Sequence, residues 1–372
     1  MRVLLINTVC GIRSTGRICT DIAEEFVSKG AEVKIAYGRD IVPKEHKKYS
    51  VRIGSKIDVA LHAFLSRIFD CSGLLSKMAT RKFLQKVEKF SPDLIWLHNI
   101  HGYYINYELL FSWIKKHPEI KIKWTLHDCW AFTGHCTHFT MVKCNKWEKG
   151  CEHCPQKNRY PSSFLFDNSF RNYERKKKAY QGIKNMTLIA PSQWLADLLA
   201  KSFLKEYTVE VHYNTINKNI FKPTPSDIRK KYAIGNKKII LGVASGFDIY
   251  KGFNDFLKLS KIIDAKTVIV LVGVSDRQIK KLPKNIIGIK QTNDIEELAR
   301  LYTAADVFVN LSKEETFGLT TLEAISCGTE AIVYKGTACE EVVKKYGGVA
   351  VPQNINCIYN AIRNVIYNED NK

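Results

Sequence analysis

Two glutamates in the stretch 306–330 lie beside a pattern of strand, loop and helix. Glu315 falls in a polar loop after a short apolar run, and Glu323 falls seven intervening residues later, in a segment with helical spacing. A strand that leads through a loop into a helix N-terminus is a favourable anion site, with backbone N–H groups from Phe317, Gly318 and Leu319. Carboxylates repel phosphate, so we expect these two to bind hydroxyl groups. A ligand that has both phosphate and hydroxyl groups is a sugar nucleotide.

The strand, the loop with Phe317–Gly318, the helix and the trailing Cys327–Thr329 together resemble the retaining family-4 glycosyltransferases of GT-B fold. The resemblance covers nearly the whole chain, since the stretches HNIHGYY (98–104) and HDCWAFTGHC (127–136) are similar to glycosyltransferases of colanic-acid and exopolysaccharide synthesis. It implies an α/β protein of two Rossmann-like domains, whose parallel sheets face a central cleft. It also implies transfer of a hexosyl unit, with retention, from a nucleoside diphosphate sugar to a lipid-linked or oligosaccharide acceptor in bacterial surface polysaccharide synthesis.

The resemblance assigns roles to individual residues. Glu315 and His127 are the expected catalytic residues, and Glu323 is expected to accept hydrogen bonds from the donor ribose. The other expected donor contacts are Thr15, Gly16, Ser245, Lys251, Phe317, Gly318 and Leu319. The expected acceptor contacts are His98, Asn99, His101 and Arg17.

The chain departs from the family at one phosphate-binding position. The family carries a loop arginine shortly before the lysine that corresponds to Lys251, but Ser245–Asp248 occupies that place here. Either Ser245 and the backbone compensate, or another cation such as Lys313 does. Two alternatives to a transferase stay open. One is a sugar-nucleotide epimerase of the same architecture, for which no complete set of carboxylates and histidines is seen. The other is a non-catalytic sugar-nucleotide-binding subunit, which the missing arginine favours. The sequence contains no Asp-x-Asp, so no metal is expected in catalysis.

The composition is strongly basic, with 57 Lys and Arg against 37 Asp and Glu and a net charge of +20. Nucleic acid and anionic membranes are the usual partners of such chains. No nucleic-acid-binding signature accompanies the charge, so nucleic acid is not an expected partner. The stretch Ile57–Phe90 alternates apolar and basic residues. It either lies on an anionic membrane surface or forms helices that pack on a sheet with a solvated basic face.

No apolar run is long enough to predict a membrane span, and the N-terminus is better interpreted as a first strand than as a signal peptide. The expected location is the cytoplasm, including the inner face of the plasma membrane. Five of the 11 cysteines lie between Cys129 and Cys154. Four of them have a spacing compatible with one structural Zn²⁺ site: Cys136, Cys144, Cys151 and Cys154. A mixed site with His135 or His138 is the second interpretation, and a set of buried or loop thiols without metal is the third.

Strands alternate with helices along both halves of the chain, which predicts two parallel sheets. The first βαβ unit lacks Gly-x-Gly-x-x-Gly, so dinucleotide binding is disfavoured. We expect an acceptor-side domain over residues 1–217 with a Cys-rich insert at 129–161. A donor-binding domain over residues 218–372 should follow, whose last helix, Ile355–Tyr367, packs back on the first domain.

Overall fold

The computed structural model describes residues 1–292 and 294–367. The chain divides into two compact units. Unit 1 comprises Met1–Pro191 with Leu195–His212, and unit 2 comprises Ser192–Trp194 with the chain from Tyr213 onward. The predicted boundary between residues 217 and 218 stays a prediction.

Unit 1 is built on a seven-stranded parallel sheet with the strand order β3-β2-β1-β4-β5-β6-β7. The strands are β1 (Arg2–Asn7), β2 (Glu32–Tyr37), β3 (Ser50–Arg52), β4 (Leu94–Leu97), β5 (Lys121–Thr125), β6 (Met186–Ala190) and β7 (Val209–Val211). The helices of this half of the chain are α1 (Arg13–Ser28), α2 (Lys56–Phe69), α3 (Lys77–Phe90), α4 (Tyr107–Ile114), α5 (Ser169–Tyr180) and α6 (Gln193–Leu199). Three short 3₁₀ segments are Lys44–Tyr49, Trp130–Phe132 and Lys146–Glu148.

The apolar run of β1 explains its central position in the sheet. Val3 and Leu5 point into one core cluster, and Leu4 and Ile6 are buried as well. A parallel strand that is covered on both faces needs apolar side chains at successive positions rather than at alternate ones. The register pairs β1 with β2 on one side and with β4 on the other.

Unit 2 repeats this architecture with six parallel strands in the order β10-β9-β8-β11-β12-β13. The strands are β8 (Lys238–Val243), β9 (Thr267–Val272), β10 (Ile286–Ile289), β11 (Val307–Asn310), β12 (Ala331–Tyr334) and β13 (Val349–Val351). The helices are α7 (Ile228–Lys231), α8 (Phe253–Leu259), α9 (Asp276–Ile279), α10 (Ile295–Ala304), α11 (Leu319–Ser326), α12 (Ala338–Tyr346) and α13 (Ile355–Tyr367). Two apolar clusters form the core, and each contains side chains from the strands of the sheet.

The last helix, α13, buries its apolar stripe within unit 2. Ile358, Ile362 and Ile366 recur at four-residue intervals and belong to one of the two core clusters. Burial of each such side chain contributes about 1.5–3 kcal/mol, so the stripe fastens α13 to its own sheet. The predicted packing of this helix against the first domain stays a prediction.

The strand order reverses beside the central strand of each sheet, between β1 and β4 in unit 1 and between β8 and β11 in unit 2. Open α/β sheets bind ligands outside the carboxyl ends of the strands at such a switch point. Most of the predicted site residues lie in segments that follow these four strands. Within the ranges given above, no helix is both long and apolar enough to span a membrane.

Candidate functional site

The turn between β11 and α11 depends on a glycine. Gly318 precedes the first residue of α11 with φ +94°, a conformation that L side chains rarely adopt. A Cβ atom at this position would stand 2.5 Å from Cys339 Sγ, so the backbone approaches α12 closely. The preceding residue, Phe317, is buried against Leu322 and Val342 and fixes the turn. In the part of the chain that the structure describes, the N–H groups of Phe317, Gly318 and Leu319 donate to no protein acceptor.

Two of the predicted site residues form an ion pair beside this turn. Lys251 Nζ lies 2.5 Å from Glu315 Oε2. Burial disfavours the charged amine, but the Glu315 carboxylate outweighs it and the pKa of Lys251 is raised. Gly252 positions the lysine, because a Cβ atom there would lie 2.5 Å from the Leu311 carbonyl oxygen. The sequence predicted both residues but not their contact.

Glu323, the second glutamate of the motif, is buried at 5 % exposure in α11. Its Oε2 accepts a hydrogen bond of 2.9 Å from the hydroxyl group of Tyr302, which is fully buried in α10. Tyr302 was not predicted from the sequence. The sequence gives only the residue type as an indication, since a buried tyrosine needs a hydrogen-bond partner for its hydroxyl group. The contact fixes the orientation of the carboxylate before any ligand arrives.

Lys313, one of the two alternatives for the missing arginine, has an acidic partner of its own. Lys313 Nζ lies 3.0 Å from Asp255 Oδ2, and its backbone N–H donates to the Tyr250 carbonyl at 2.8 Å. Asp255 is buried and also accepts from Tyr334 at 3.3 Å. The other candidate, Ser245, is exposed in the loop after β8. Both alternatives for the missing arginine stay open, because a lysine with one acidic partner keeps other N–H donors.

The sequence Gly11–Arg17 after β1 predicts a glycine loop that opens a helix at about Ile18, and the structure differs from this. Helix α1 begins at Arg13 rather than near residue 18, so Thr15, Gly16 and Arg17 lie in its first turns. Gly16 is buried, and a Cβ atom at this position would lie 3.2 Å from the Gly11 nitrogen. The Gly11 N–H donates to the Gly16 carbonyl at 3.2 Å. Thr15 lies 3.4 Å from the Asn7 side-chain amide, and Arg17 is exposed.

Two predicted histidines lie side by side at the ends of β4 and β5. His98 Nδ1 and His127 Nε2 are 2.9 Å apart, and the rings stack with a centroid distance of 5.2 Å. Burial lowers the pKa of His127 to about 4 and that of His98 well below its usual range. Both rings are therefore neutral at pH 7, and one donates to the other. His98 Nε2 is buried and has no hydrogen-bond partner among the described residues.

A second polar chain runs from Asp128 through His101 to Tyr160. Asp128 Oδ2 lies 2.8 Å from His101 Nε2, and His101 Nδ1 lies 3.1 Å from the Tyr160 hydroxyl group. Burial disfavours the charged carboxylate, but His101 and the Trp130 N–H group bind it and lower the pKa of Asp128 to about 2. The carboxylate thus holds the Nε2–H form of His101, whose Nδ1 accepts from Tyr160.

Residues of both polar chains line one pocket, and Asp128 was not predicted for it. Tyr160, which contacts His101, was not predicted either. His98, Asn99, His101, His127 and Asp128 all line this pocket. Asp128 directly follows His127 at the end of β5, and this position could have predicted it as a site residue. Tyr160 lies in the Cys-rich insert, far along the chain from His101, and no periodicity or motif links the two. The backbone of Asn99 is held by the Asn7 side chain, whose Oδ1 accepts its N–H at 3.2 Å.

The zinc site predicted in the insert is not supported by the structure. The four candidate thiols do line one pocket: Cys136, Cys144, Cys151 and Cys154. Among residues 1–292 and 294–367, however, no three His, Cys, Asp or Glu side chains are arranged to hold a metal ion. The mixed alternative is also unsupported, since His135 Nδ1 lies 2.5 Å from Asp70 Oδ1 instead.

The insert has a core of its own, which was not predicted from the sequence. Phe132, Phe139 and Trp147 are buried together, with ring centroids 4.7–6.2 Å apart. The fully buried Lys176 donates to the carbonyl oxygens of Trp130 at 2.6 Å and Thr133 at 2.9 Å. Burial lowers the pKa of this amine to about 7. Packing and these hydrogen bonds supply the order that the zinc hypothesis assigned to a metal.

Comparison with known proteins gives one family. Residues 225–372 match the glycosyl transferases group 1. The chain is 23 % identical to the colanic acid biosynthesis glycosyl transferase WcaC of Escherichia coli K12, over 95 % of this chain and 88 % of that protein. Over 37 % of the chain and 38 % of that protein, it is 31 % identical to N-acetyl-alpha-D-glucosaminyl L-malate synthase of Bacillus anthracis.

Solved structures confirm the predicted fold. Sucrose-phosphate synthase of Thermosynechococcus elongatus superposes with a TM-score of 0.70 at 18 % identity, over 98 % of this chain and 89 % of that one. Anabaena Alr3699/HepE in complex with UDP-glucose superposes with a TM-score of 0.66 at 16 % identity, over 100 % and 91 %. Two α/β units with parallel sheets of seven and six strands match the GT-B architecture.

Proposed function

We propose, from the match of residues 225–372 to the group 1 glycosyltransferases, that the protein transfers a hexosyl unit from a nucleoside diphosphate sugar. The proposed acceptor is a lipid-linked sugar or an oligosaccharide of a bacterial surface polysaccharide, and the configuration at the anomeric carbon is retained. The similarity to a colanic acid biosynthesis enzyme supports this class of product. A UDP-sugar is the first donor to test, since HepE of the same fold binds UDP and UDP-glucose.

The observation that carries the proposal is the turn at Gly318 with the Lys251–Glu315 pair beside it. Three backbone N–H groups and one cation stand at a strand-to-helix turn, where a diphosphate is bound well. An ammonium group has three N–H donors, and Glu315 occupies one of them. The remaining donors of Lys251 and the N–H groups of Phe317–Leu319 would stabilise the charge that develops on the leaving diphosphate.

The two glutamates have different proposed roles. Glu323 is held in place by Tyr302 and would accept hydrogen bonds from the donor ribose, a contact that is the same before and during the reaction. Glu315 would lie nearer the sugar. Its negative charge favours the positive charge that builds up at the anomeric carbon as the glycosidic phosphate bond breaks.

On the acceptor side, His98, His101, Asn99 and Arg17 are proposed to bind the incoming sugar, and His127 to lie beside the bond being broken. The buried, unpartnered Nε2 of His98 supports a ligand at this pocket. Attack from the same face as the departing diphosphate is the proposed course. In that course the leaving phosphate takes the proton of the acceptor hydroxyl group.

The proposed location is the cytoplasm, at the inner face of the plasma membrane, where a lipid-linked acceptor and a nucleotide sugar can meet. The net charge of +20 supports attraction to anionic lipid.

The test is product analysis with purified protein, a panel of nucleotide sugars and a glycolipid extract. Transfer releases one nucleoside diphosphate for each new glycolipid. An epimerase would instead convert the donor without an acceptor, and a binding subunit would leave the donor unchanged while the donor still raised its melting temperature. Either of the last two results would replace the proposal.

A further inference from the structure

Helix α2 buries small and polar side chains and exposes large apolar ones, which is the reverse of an ordinary amphipathic helix. Its buried residues are His62, Ala63 and Ser66, which are small or polar. Its large apolar residues point outward: Ile57 is 78 % exposed, Leu61 55 % and Phe64 59 %. These three recur at spacings of four and three, so they share one face of the helix.

The polar side of α2 is buried because it has specific partners there. His62 Nδ1 lies 2.8 Å from the hydroxyl group of Ser76, and His62 Nε2 accepts the Gly73 N–H at 3.2 Å. Neutral His62 fits this environment, since burial lowers its pKa to about 4. The outward direction of the apolar face is thus set by hydrogen bonds on the opposite face.

A second apolar segment is fixed beside the end of α2. The N–H of Phe164 donates to the Arg67 carbonyl at 2.7 Å, and that of Phe166 donates to the Ile68 carbonyl at 3.2 Å. These bonds satisfy carbonyl groups of the last turn of α2, which have no partner within the helix. They also hold Phe164, Leu165 and Phe166 in the solvent, at 62 %, 66 % and 51 % exposure.

The two apolar segments meet at Phe69, whose ring stacks on Phe166 with a centroid distance of 5.6 Å. We define the outward face as Ile57, Leu61, Phe64, Phe69 and Phe164–Phe166. Each of these seven side chains exposes on the order of 100 Å². Clusters of large exposed apolar side chains that are rimmed by polar residues mark interaction sites.

We propose that the outward face is a membrane-docking site, which inserts its aromatic and aliphatic side chains into the interfacial region of an anionic lipid bilayer. The charge around it favours lipid over a protein partner. Lys56 begins α2, Arg67 lies in its last turn and Arg171 follows the segment 164–166, and all three are exposed. Exposed large apolar residues flanked by basic ones are the pattern of helices that lie in a membrane interface.

The two acidic side chains next to this face, Asp58 and Asp167, are outnumbered by the three basic ones. Asp58 accepts the backbone N–H of Ser55 at 2.7 Å, and Asp167 accepts that of Cys154 at 2.7 Å. Both carboxylates are therefore engaged at backbone N–H groups. By contrast, the neighbouring helix α3 buries Phe83, Leu84 and Val87 and leaves a basic face in solvent. Helix α3 thus fits the second alternative for the stretch 57–90, a helix with a solvated basic face, and the membrane alternative for α2 is the proposal made here.

Docking depends on the proposed function in one respect only, which is that the bilayer would carry the lipid-linked acceptor. Binding to lipid is measured without any donor or acceptor, so a failure here leaves the transfer reaction untouched.

The experiment is vesicle flotation of the full chain with phosphatidylcholine alone and with phosphatidylcholine plus phosphatidylglycerol. Wild type should float with the anionic vesicles and less so as salt rises. Phe164→Ser/Phe166→Ser should lower partitioning about 100-fold, because burial of each ring is worth about a factor of ten or more. Ile262→Ser is the matched control, an exposed apolar residue in unit 2 at 39 % exposure, and should partition as wild type does.

Three results would overturn the inference. They are no flotation of wild type with either vesicle, equal loss of binding in the Ile262→Ser control, and unchanged binding in the double variant. Concentration-dependent self-association that the double variant abolishes, with no lipid binding, would assign the face to a second copy of the chain. The substituted side chains are exposed, so the variants should keep the wild-type melting temperature, and this is checked first.

Discussion

Replacement of Gly318 by alanine separates two costs that the structure assigns to this position. The first is backbone strain, because φ is +94° and a Cβ atom in the left-handed region costs about 1–2 kcal/mol. The second is steric, because the new Cβ would lie 2.5 Å from Cys339 Sγ in a packed interior. Overpacking of that kind typically costs about 1–3 kcal/mol more. Gly318→Ala should therefore destabilise unit 2 by about 2–5 kcal/mol in total.

Gly235→Ala is the matched control for the strain alone. Gly235 also has a positive φ, of +62°, in the same unit, but no atom lies within 4 Å of the position that a Cβ would take there. It should lose only about 1–2 kcal/mol. Combining Gly318→Ala with Cys339→Ala should recover most of the steric part, since the next contacts of the new Cβ are at 3.4 and 3.7 Å.

The assay is urea unfolding of wild type, the three single variants and the double variant, analysed as a double-mutant cycle, together with UDP binding. UDP affinity should fall in Gly318→Ala and stay unchanged in Gly235→Ala. Equal destabilisation by the two glycine substitutions, or no recovery in the double variant, would refute the close approach of the turn to α12.

Two other perturbations address the donor and acceptor sides. Tyr302→Phe removes the hydroxyl group that orients Glu323, so initial-rate kinetics should show a raised donor KM with kcat nearly unchanged, and a lowered kcat with unchanged KM would contradict that role. The pKa of Asp128 is lowered from 3.8 to about 2, which corresponds to a contribution of about 2 kcal/mol to the free energy of unfolding. This contribution is fully present above about pH 4 and is lost as the pH falls through about 2. Acid unfolding of Asp128→Asn should lack this component, and an identical acid transition in both proteins would show that the carboxylate is not held as described.

The fold could be predicted from the sequence because its signals are local and repeated. An apolar run such as Ile239–Leu241 in β8 predicts a strand without knowledge of the strand that pairs with it. Strands β1 and β11 were likewise identified from single short segments. The Gly318 turn was also local, since strand, glycine and helix follow one another within one stretch. The parallel pairing of the strands then placed the loops at the two switch points.

The contacts that the sequence did not predict join residues far apart in the chain. Tyr302 and Glu323 lie on different helices, and the Lys251–Glu315 pair bridges two loops that follow different strands. Tyr160 reaches His101 from an insert whose path no periodicity describes. The zinc hypothesis is unsupported for a related reason. The spacing of cysteines describes their separation along the chain, and it does not predict the aromatic packing that orders the insert.

The most direct test of the central claim is the rate of sugar transfer by Glu315→Gln, measured with a labelled UDP-hexose and saturating glycolipid acceptor. The proposed role predicts that kcat falls by a factor of about 10² or more while donor KM changes little, because the lost charge acts on the developing positive charge at the anomeric carbon. Glu330→Gln, at an exposed glutamate of the same unit, should keep the wild-type rate. Wild-type kcat in Glu315→Gln, or a change confined to KM, would contradict that role.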